Sequence, residues 1–211
     1  MVKHLIAGFF DFKKNFFGTT NTFYENFVRY GQKPKFLVIS CSDSRVDPAI
    51  LFKTGPGDLF VVRNVANLVP PYQPDDRHHG ISAALEFGVR DLGIREIIVL
   101  GHSFCGGIKA LCTHVQTGNV GDREFIAPWM KIAMPVMKQF SKNHKGYDIH
   151  RIEKAVIVNS MDNLRTFPWL KTLEDSQQLQ IHGWWFEMEN GTLWNYDQNK
   201  KVFRLIRENQ K

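Results

Sequence analysis

Three short apolar runs punctuate the first half of the chain: FLVIS (36–40), LFVVRN (59–64) and EIIVLGH (96–102). They are continuous rather than alternating, as expected for strands of a parallel sheet with both faces covered. A turn, Gly55-Pro-Gly-Asp58, leads into the second. Between the second and third lies HGISAALEFGVRDLG (79–93). There Ile81, Ala84, Leu85 and Val89 share one helical face, and Gly93 supplies a stop. Strand, helix and strand in succession predict an α/β fold with a mostly parallel central sheet flanked by helices.

The flanking segments complete this picture. Residues 1–31 read as an N-terminal helical arm, with aromatic residues at Phe9, Phe12, Phe16 and Phe17 and then at Phe23, Phe27 and Tyr30. Gly18-Thr-Thr-Asn interrupts it. An arm this rich in Phe, placed before the first strand, is expected to pack on a second subunit. Residues 108–116 and 124–142 read as helices. AVIVNS (155–160) is apolar enough for a strand, but the spacing of Ile152, Val156, Asn159, Met161 and Leu164 favours a helix. The tail reads as short strands, QIHGWWFEM, TLWNYD and KVFRLI, with Asn190-Gly191 marking a hairpin. An antiparallel edge on the sheet follows.

The chain has 211 residues, of which 43% are hydrophobic and 23% charged, and its 17 Phe and 5 Trp are enough to fill a core. Residues 1–211 are expected to form a single domain. Mean hydropathy is −0.28. No apolar run approaches the roughly 20 residues of a membrane helix. Collagen-like, disordered and membrane-spanning classes are thereby excluded. The formal charge of +6 is scattered, not clustered, so it reads as a solvated surface and points to neither nucleic acid nor membrane as a partner. Three cysteines and no long apolar leader fit a reducing cytoplasm, where grouped cysteines bind metal or do chemistry.

Two motifs fall at equivalent places. The first strand runs into Cys41-Ser-Asp43-Ser-Arg45, and the third into Gly101-His102-Ser-Phe-Cys105-Gly-Gly. Ligands of parallel α/β sheets bind beyond the carboxyl ends of the strands, so both motifs point into one region. Cys41, His102 and Cys105 offer two sulfurs and an imidazole, a tetrahedral zinc set with the fourth position open, as in catalytic sites. Gly106 and Gly107 allow a tight turn into the next helix, whose N-terminus favours thiolate character in Cys105. Asp43 is placed to orient zinc-bound hydroxide, and Arg45 to keep Asp43 ionised and stop it swinging in as a fourth ligand. Cys112, mid-helix, reads as a small buried hydrophobe. A structural zinc site or a redox cysteine pair would use the same cysteines.

These residues resemble the β-class carbonic anhydrases from about Gln32 to Phe203. The resemblance is carried by CSDSRVDP, GDLFVVRNVANLVPP, SAALEFGV and IIVLGHSFCGGIKAL. It implies one zinc ion per chain on Cys41, His102 and Cys105, and an Asp43–Arg45 catalytic dyad. The implied reaction is the reversible hydration of CO2 to bicarbonate and a proton. The implied substrate pocket is lined by Gln32, Phe60, Val65, Phe87 and Gly106, partly across a subunit interface. A homodimer, or a tetramer or octamer built from dimers, is expected. One branch of the family has a regulatory bicarbonate pocket of Trp, Arg and Tyr. Only Arg63 of that set is matched, since Val38 and Phe186 stand at the other two positions, so the pocket is expected to be missing. Phe87 falls where plant-type members have a Tyr. Two alternatives stay in view: a hydrolase of CS2 or COS on the same fold, and a non-catalytic zinc-stabilised interaction module.

Overall fold

All three apolar runs are strands: β1 (Phe36–Cys41), β2 (Leu59–Asn64) and β3 (Glu96–His102). The tail supplies β4 (Gln180–Glu187), β5 (Thr192–Asp197) and β6 (Val202–Leu205). A computed structural model describes residues 2–17, 23–117, 123–140 and 148–208. The strands form one sheet in the order β2-β1-β3-β4-β5-β6. The first four are parallel, and β5 and β6 add an antiparallel edge. The register pairs Cys41 with Asn64 across β1 and β2, and Ser40 with Leu100 across β1 and β3. The carboxyl ends of the central strands thus lie side by side.

Helices occupy the connections. An arm of α1 (Lys3–Phe16) and α2 (Phe23–Tyr30) comes first, then the short α3 (Pro48–Leu51) and α4 (Gly80–Glu86). They are followed by α5 (Gly106–Thr117), α6 (Ile126–Met130), α7 (Met134–Phe140), α8 (Ile149–Leu164) and α9 (Pro168–Asp175). The segment 155–160 is helical, and Ile152, Val156, Ile157, Met161 and Leu164 are its buried side chains. Alternate residues of a strand face opposite sides of the sheet. Leu37 and Ile39 accordingly pack with α4 and α8, while Val38 meets Ile98 and Leu100 on the other side, against Phe52, Trp184 and Phe186.

Where α8 crosses the sheet, the strands carry glycine. A Cβ on Gly101 would lie 2.6 Å from Ile157 Cδ1, and one on Gly183 would lie 2.5 Å from Met161 Sδ and 3.0 Å from Ile157 Cγ2. Gly183→Ala is therefore expected to destabilise the chain by about 1–3 kcal/mol through overpacking, seen as a lower urea midpoint.

Three segments differ from the sequence expectation. The helix expected over 124–142 is broken by a 3₁₀ turn at Lys131–Ala133, with Pro128 and Pro135 removing backbone donors on either side. Its last two positions, and the interruption at 18–21, lie outside the described residues. The helix over 79–93 ends in a wider π turn, Phe87–Asp91, before Gly93 closes it at φ +70°. The helix α9, which opens with Pro168 at its first position, was not anticipated.

Among the described residues of the arm, no side chain of α1 or α2 is fully buried. Leu5, Ile6, Phe9 and Phe10 are each more than half exposed. Phe12, Phe16, Phe17 and Tyr24 stack on one another, and Phe27 sits over Gly57 on the body of the protein. No helix among the described residues is long and apolar enough to cross a membrane.

Candidate metal centre

Because β1 and β3 are neighbours, Cys41 and His102 end up adjacent at the carboxyl edge of the sheet. Cys105 returns to them from the turn that opens α5. The donor atoms of Cys41, His102 and Cys105 all lie within 4.8 Å of one another. The two sulfurs are 3.9 Å apart, and the three residues are 5%, 1% and 1% exposed. His102 Nδ1–H donates to the Ser103 carbonyl at 2.8 Å. That bond fixes the tautomer and leaves Nε2 a lone-pair donor. Nε2 is buried without a hydrogen-bond partner. An orphaned ring nitrogen aimed at two sulfurs is what a metal would satisfy.

Backbone amides prepare both sulfurs. The N–H groups of Asp43 and Ala66 bond Cys41, and those of Gly107 and Ile108 bond Cys105. Ala66 and Asn67 adopt left-handed backbone, φ +67° and +47°, to shape that approach. A Cβ on Gly107 would lie 2.8 Å from Val65 Cγ1, so glycine is required there. A Cβ on Gly106 would meet open space, so of the two glycines at this turn only Gly107 is required by close packing. The Cys105 thiol bonding Cys41 pulls the Cys41 pKa down to about 4. The same contact, with burial, pushes Cys105 up despite its helix amides. The pair by itself keeps one proton, and a divalent cation is what allows both thiolates at once. Two sulfurs and one imidazole suit zinc, and they supply three of four tetrahedral positions.

Asp43 stands beside this corner. Arg45 grips it with a fork, Nε to Oδ1 at 2.9 Å and Nη2 to Oδ2 at 2.7 Å, and the Arg45 amide adds a bond to Oδ1 at 3.0 Å. Those donors hold the Asp43 carboxyl well below the usual carboxylate range. Asp43 Oδ2 is 3.9 Å from His102 Nε2. Arg63 supports the loop from behind, donating to the carbonyls of Cys41 and Asp43 at 3.0 and 2.7 Å and to Asp47 Oδ2 at 2.7 Å. Val38 and Phe186 lie in one apolar cluster with Trp184. Cys112 is 8% exposed inside α5, with burial pushing its thiol up to about 11.

The expected pocket residues divide into two groups. Val65 lies next to the corner, touching Gly107, and its carbonyl accepts the Trp129 indole N–H at 2.8 Å. Gly106 follows Cys105 directly. Phe60 pairs with Leu37, four residues before the Asn64–Cys41 pair. That is about 13 Å back along the strands. Phe87 lies with it, ring centroids 6.1 Å apart. Gln32 precedes β1 and lines a cavity of about 460 Å³ with Leu92 and Arg95. One protomer therefore gathers Cys41, Asp43, His102, Cys105, Gly106 and Val65 at one end of the sheet, and places Gln32, Phe60 and Phe87 elsewhere. Sequence reasoning missed Glu153, which is 3% exposed. The available signal was an acidic residue on the apolar face of α8.

A mostly parallel sheet whose central strands deliver a Cys-His-Cys corner beside an Asp–Arg pair defines a zinc enzyme of the α/β class. The family model for carbonic anhydrase matches residues 36–193. Beta carbonic anhydrase 3 of Arabidopsis thaliana is 34% identical over 202 residues, covering 93% of this chain and 78% of that protein. A carbonic anhydrase of Synechococcus elongatus is 31% identical over 194 residues, covering 90% and 70%. The solved structure of the β-carbonic anhydrase CcaA superposes with a TM-score of 0.85 at 31% identity, over 99% of this chain and 93% of that one. The chain belongs to the β-class carbonic anhydrases, zinc enzymes that hydrate CO2.

Proposed function

We propose that this chain interconverts CO2 and bicarbonate at the Cys41–His102–Cys105 corner, with Asp43 as the orienting base and Arg45 as its clamp. The observation that carries this reading is the Arg45 fork, which leaves the Asp43 carboxylate 3.9 Å from His102 Nε2. Zinc bound there supplies the Lewis acidity that makes water a nucleophile near neutral pH. Each carboxylate oxygen can accept more than one hydrogen bond. Asp43 Oδ2 can therefore hold Arg45 and still accept from the attacking water, turning a lone pair toward the carbon. Arg45 also donates to the Phe104 carbonyl at 3.2 Å, so Asp43 is tied to the turn that carries Cys105. An Asp43 freed from Arg45 would turn into the corner and fill the fourth position.

The sign of the pH effect follows from the lowered Asp43 pKa. A depressed carboxyl contributes its bonding at every pH above the ordinary carboxylate range, and loses it only as acid takes the pH below that range. Asp43 therefore stays ionised through the neutral region and does not shape the rate profile there. The engagement of Arg63 with the 41–47 loop, and the apolar Val38 and Phe186, support an enzyme without the regulatory bicarbonate pocket.

The working unit in this reading is a homodimer, alone or within a larger even-numbered assembly. Gln32, Phe60 and Phe87 lie at the far end of the sheet from their own metal corner, and no described side chain of α1 or α2 is fully buried at home. A second copy, set so that this end meets the first copy's corner, would complete an apolar slot for CO2. Stopped-flow hydration of CO2 by the zinc-loaded protein, followed with a pH indicator, tests the function. The expected result is a rate far above buffer, with no sulfide released from COS or CS2. Sulfide release without CO2 hydration would favour the hydrolase, and neither activity would favour a zinc-stabilised module.

A further inference from the structure

The turn that carries Cys105 needs holding. Phe104, between Ser103 and Cys105, adopts left-handed backbone at φ +54°. That conformation costs a non-glycine residue about 1 kcal/mol or more. Its neighbours on both sides are tied to one chain of side chains. Ser103 Oγ accepts the Met188 amide at 2.9 Å and donates to Glu189 Oε2 at 2.5 Å. Glu189 Oε1 lies 3.3 Å from His150 Nε2. His150 Nδ1 donates to Glu153 Oε2 at 3.0 Å. Glu153 Oε1 accepts the backbone N–H of Cys105 at 3.0 Å, which closes the circuit. The His150 ring also stands edge-on to Phe104, centroids 5.2 Å apart.

Glu153 is the costly member. It lies 3% exposed on a helix face otherwise made of Ile152, Val156 and Ile157. A carboxylate at such a place is tolerated only when its oxygens are bonded. Here three donors meet it: the Cys105 amide, His150, and the Trp185 indole N–H at 3.3 Å. None of these bonds reaches a donor atom of the metal corner. They act on the backbone that aims the Cys105 sulfur.

We propose that Glu153, steadied by His150 and Glu189, is a positioning residue of the metal corner, fixing the Cys105 backbone and thereby the direction of its sulfur. The inference rests on Cys41, His102 and Cys105 holding zinc, and not on what the zinc enzyme does to CO2. Partners of metal ligands typically change metal affinity by about 10- to 100-fold when removed.

The test compares the parent with Glu153→Leu, Glu153→Gln and His150→Leu. Two quantities are read: the rate of zinc transfer to a chromophoric chelator, and the sulfur-to-metal charge-transfer band of the cobalt(II)-loaded protein. Glu153→Leu should release zinc about 10- to 100-fold faster and shift the cobalt band, because the Cys105 amide loses its acceptor. Glu153→Gln can still accept that amide but lacks the charge that holds His150, so it should release zinc several-fold faster. His150→Leu should move both quantities in the same direction. Parent-like release and an unshifted band in both Glu153 variants would overturn the proposal. If Glu153→Leu does not fold, parent-like values in Glu153→Gln and His150→Leu decide against it. A chain that binds zinc but leaves CO2 untouched would defeat the proposed function and leave these metal readouts intact.

Discussion

Cys105→Ser is expected to lower bound zinc well below one equivalent per chain and to remove CO2 hydration with it. Serine keeps the size of the side chain but presents a hydroxyl that stays protonated near neutral pH, where zinc needs an anion. The two remaining donors, Cys41 and His102, cannot compensate. Both are buried and fixed at strand ends, so neither reaches around to take a second position. The loss in metal affinity should exceed the roughly 100-fold upper range seen for residues that only support a ligand. Elemental analysis after gel filtration reads the zinc directly. Full retention of one equivalent would overturn the assignment of Cys105. Because Cys105 is 1% exposed, a thermal melt beside the zinc measurement separates metal loss from unfolding.

Asp43→Ala is expected to separate metal binding from catalysis. Asp43 contacts the corner without being one of the three clustered donors. Its removal should leave zinc near one equivalent, while stopped-flow CO2 hydration falls by about 100-fold or more, the usual range for a positioned acid–base group. The substitution also releases Arg45, which keeps its bond to the Phe104 carbonyl and is the more exposed member of the pair. The protein should therefore fold normally. Equal rates for the parent and Asp43→Ala, both fully loaded, would remove Asp43 from the mechanism.

The sheet was legible because its central strands are continuous apolar runs bounded by Gly, Asp and Pro, and their limits are close to those seen. The metal corner was legible for a topological reason. Cys41 and His102 each end a strand, and parallel strands bring such ends together whatever lies between them. Other features depend on tertiary context and left weaker traces. The 3₁₀ break at Lys131–Ala133 was signalled by Pro128 and Pro135, yet the apolar spacing on either side reads straight through it. Nothing in the order of residues says that Glu153 faces Cys105, since that contact exists only once α8 lies across β3 and β4. The distance between Phe60 and the corner follows from strand register, which a single sequence does not state.

The donor set joins residues 64 positions apart through β1 and β3, adjacent parallel strands of the sheet. No metal site exists until β1 and β3 have paired, so every ion bound there stabilises that pairing. A ligand that binds only the native chain adds to its unfolding free energy as RT ln(1 + [L]/Kd). Chelation should then loosen the centre of the molecule before its rim, a pattern that hydrogen exchange along β1 and β3 would display.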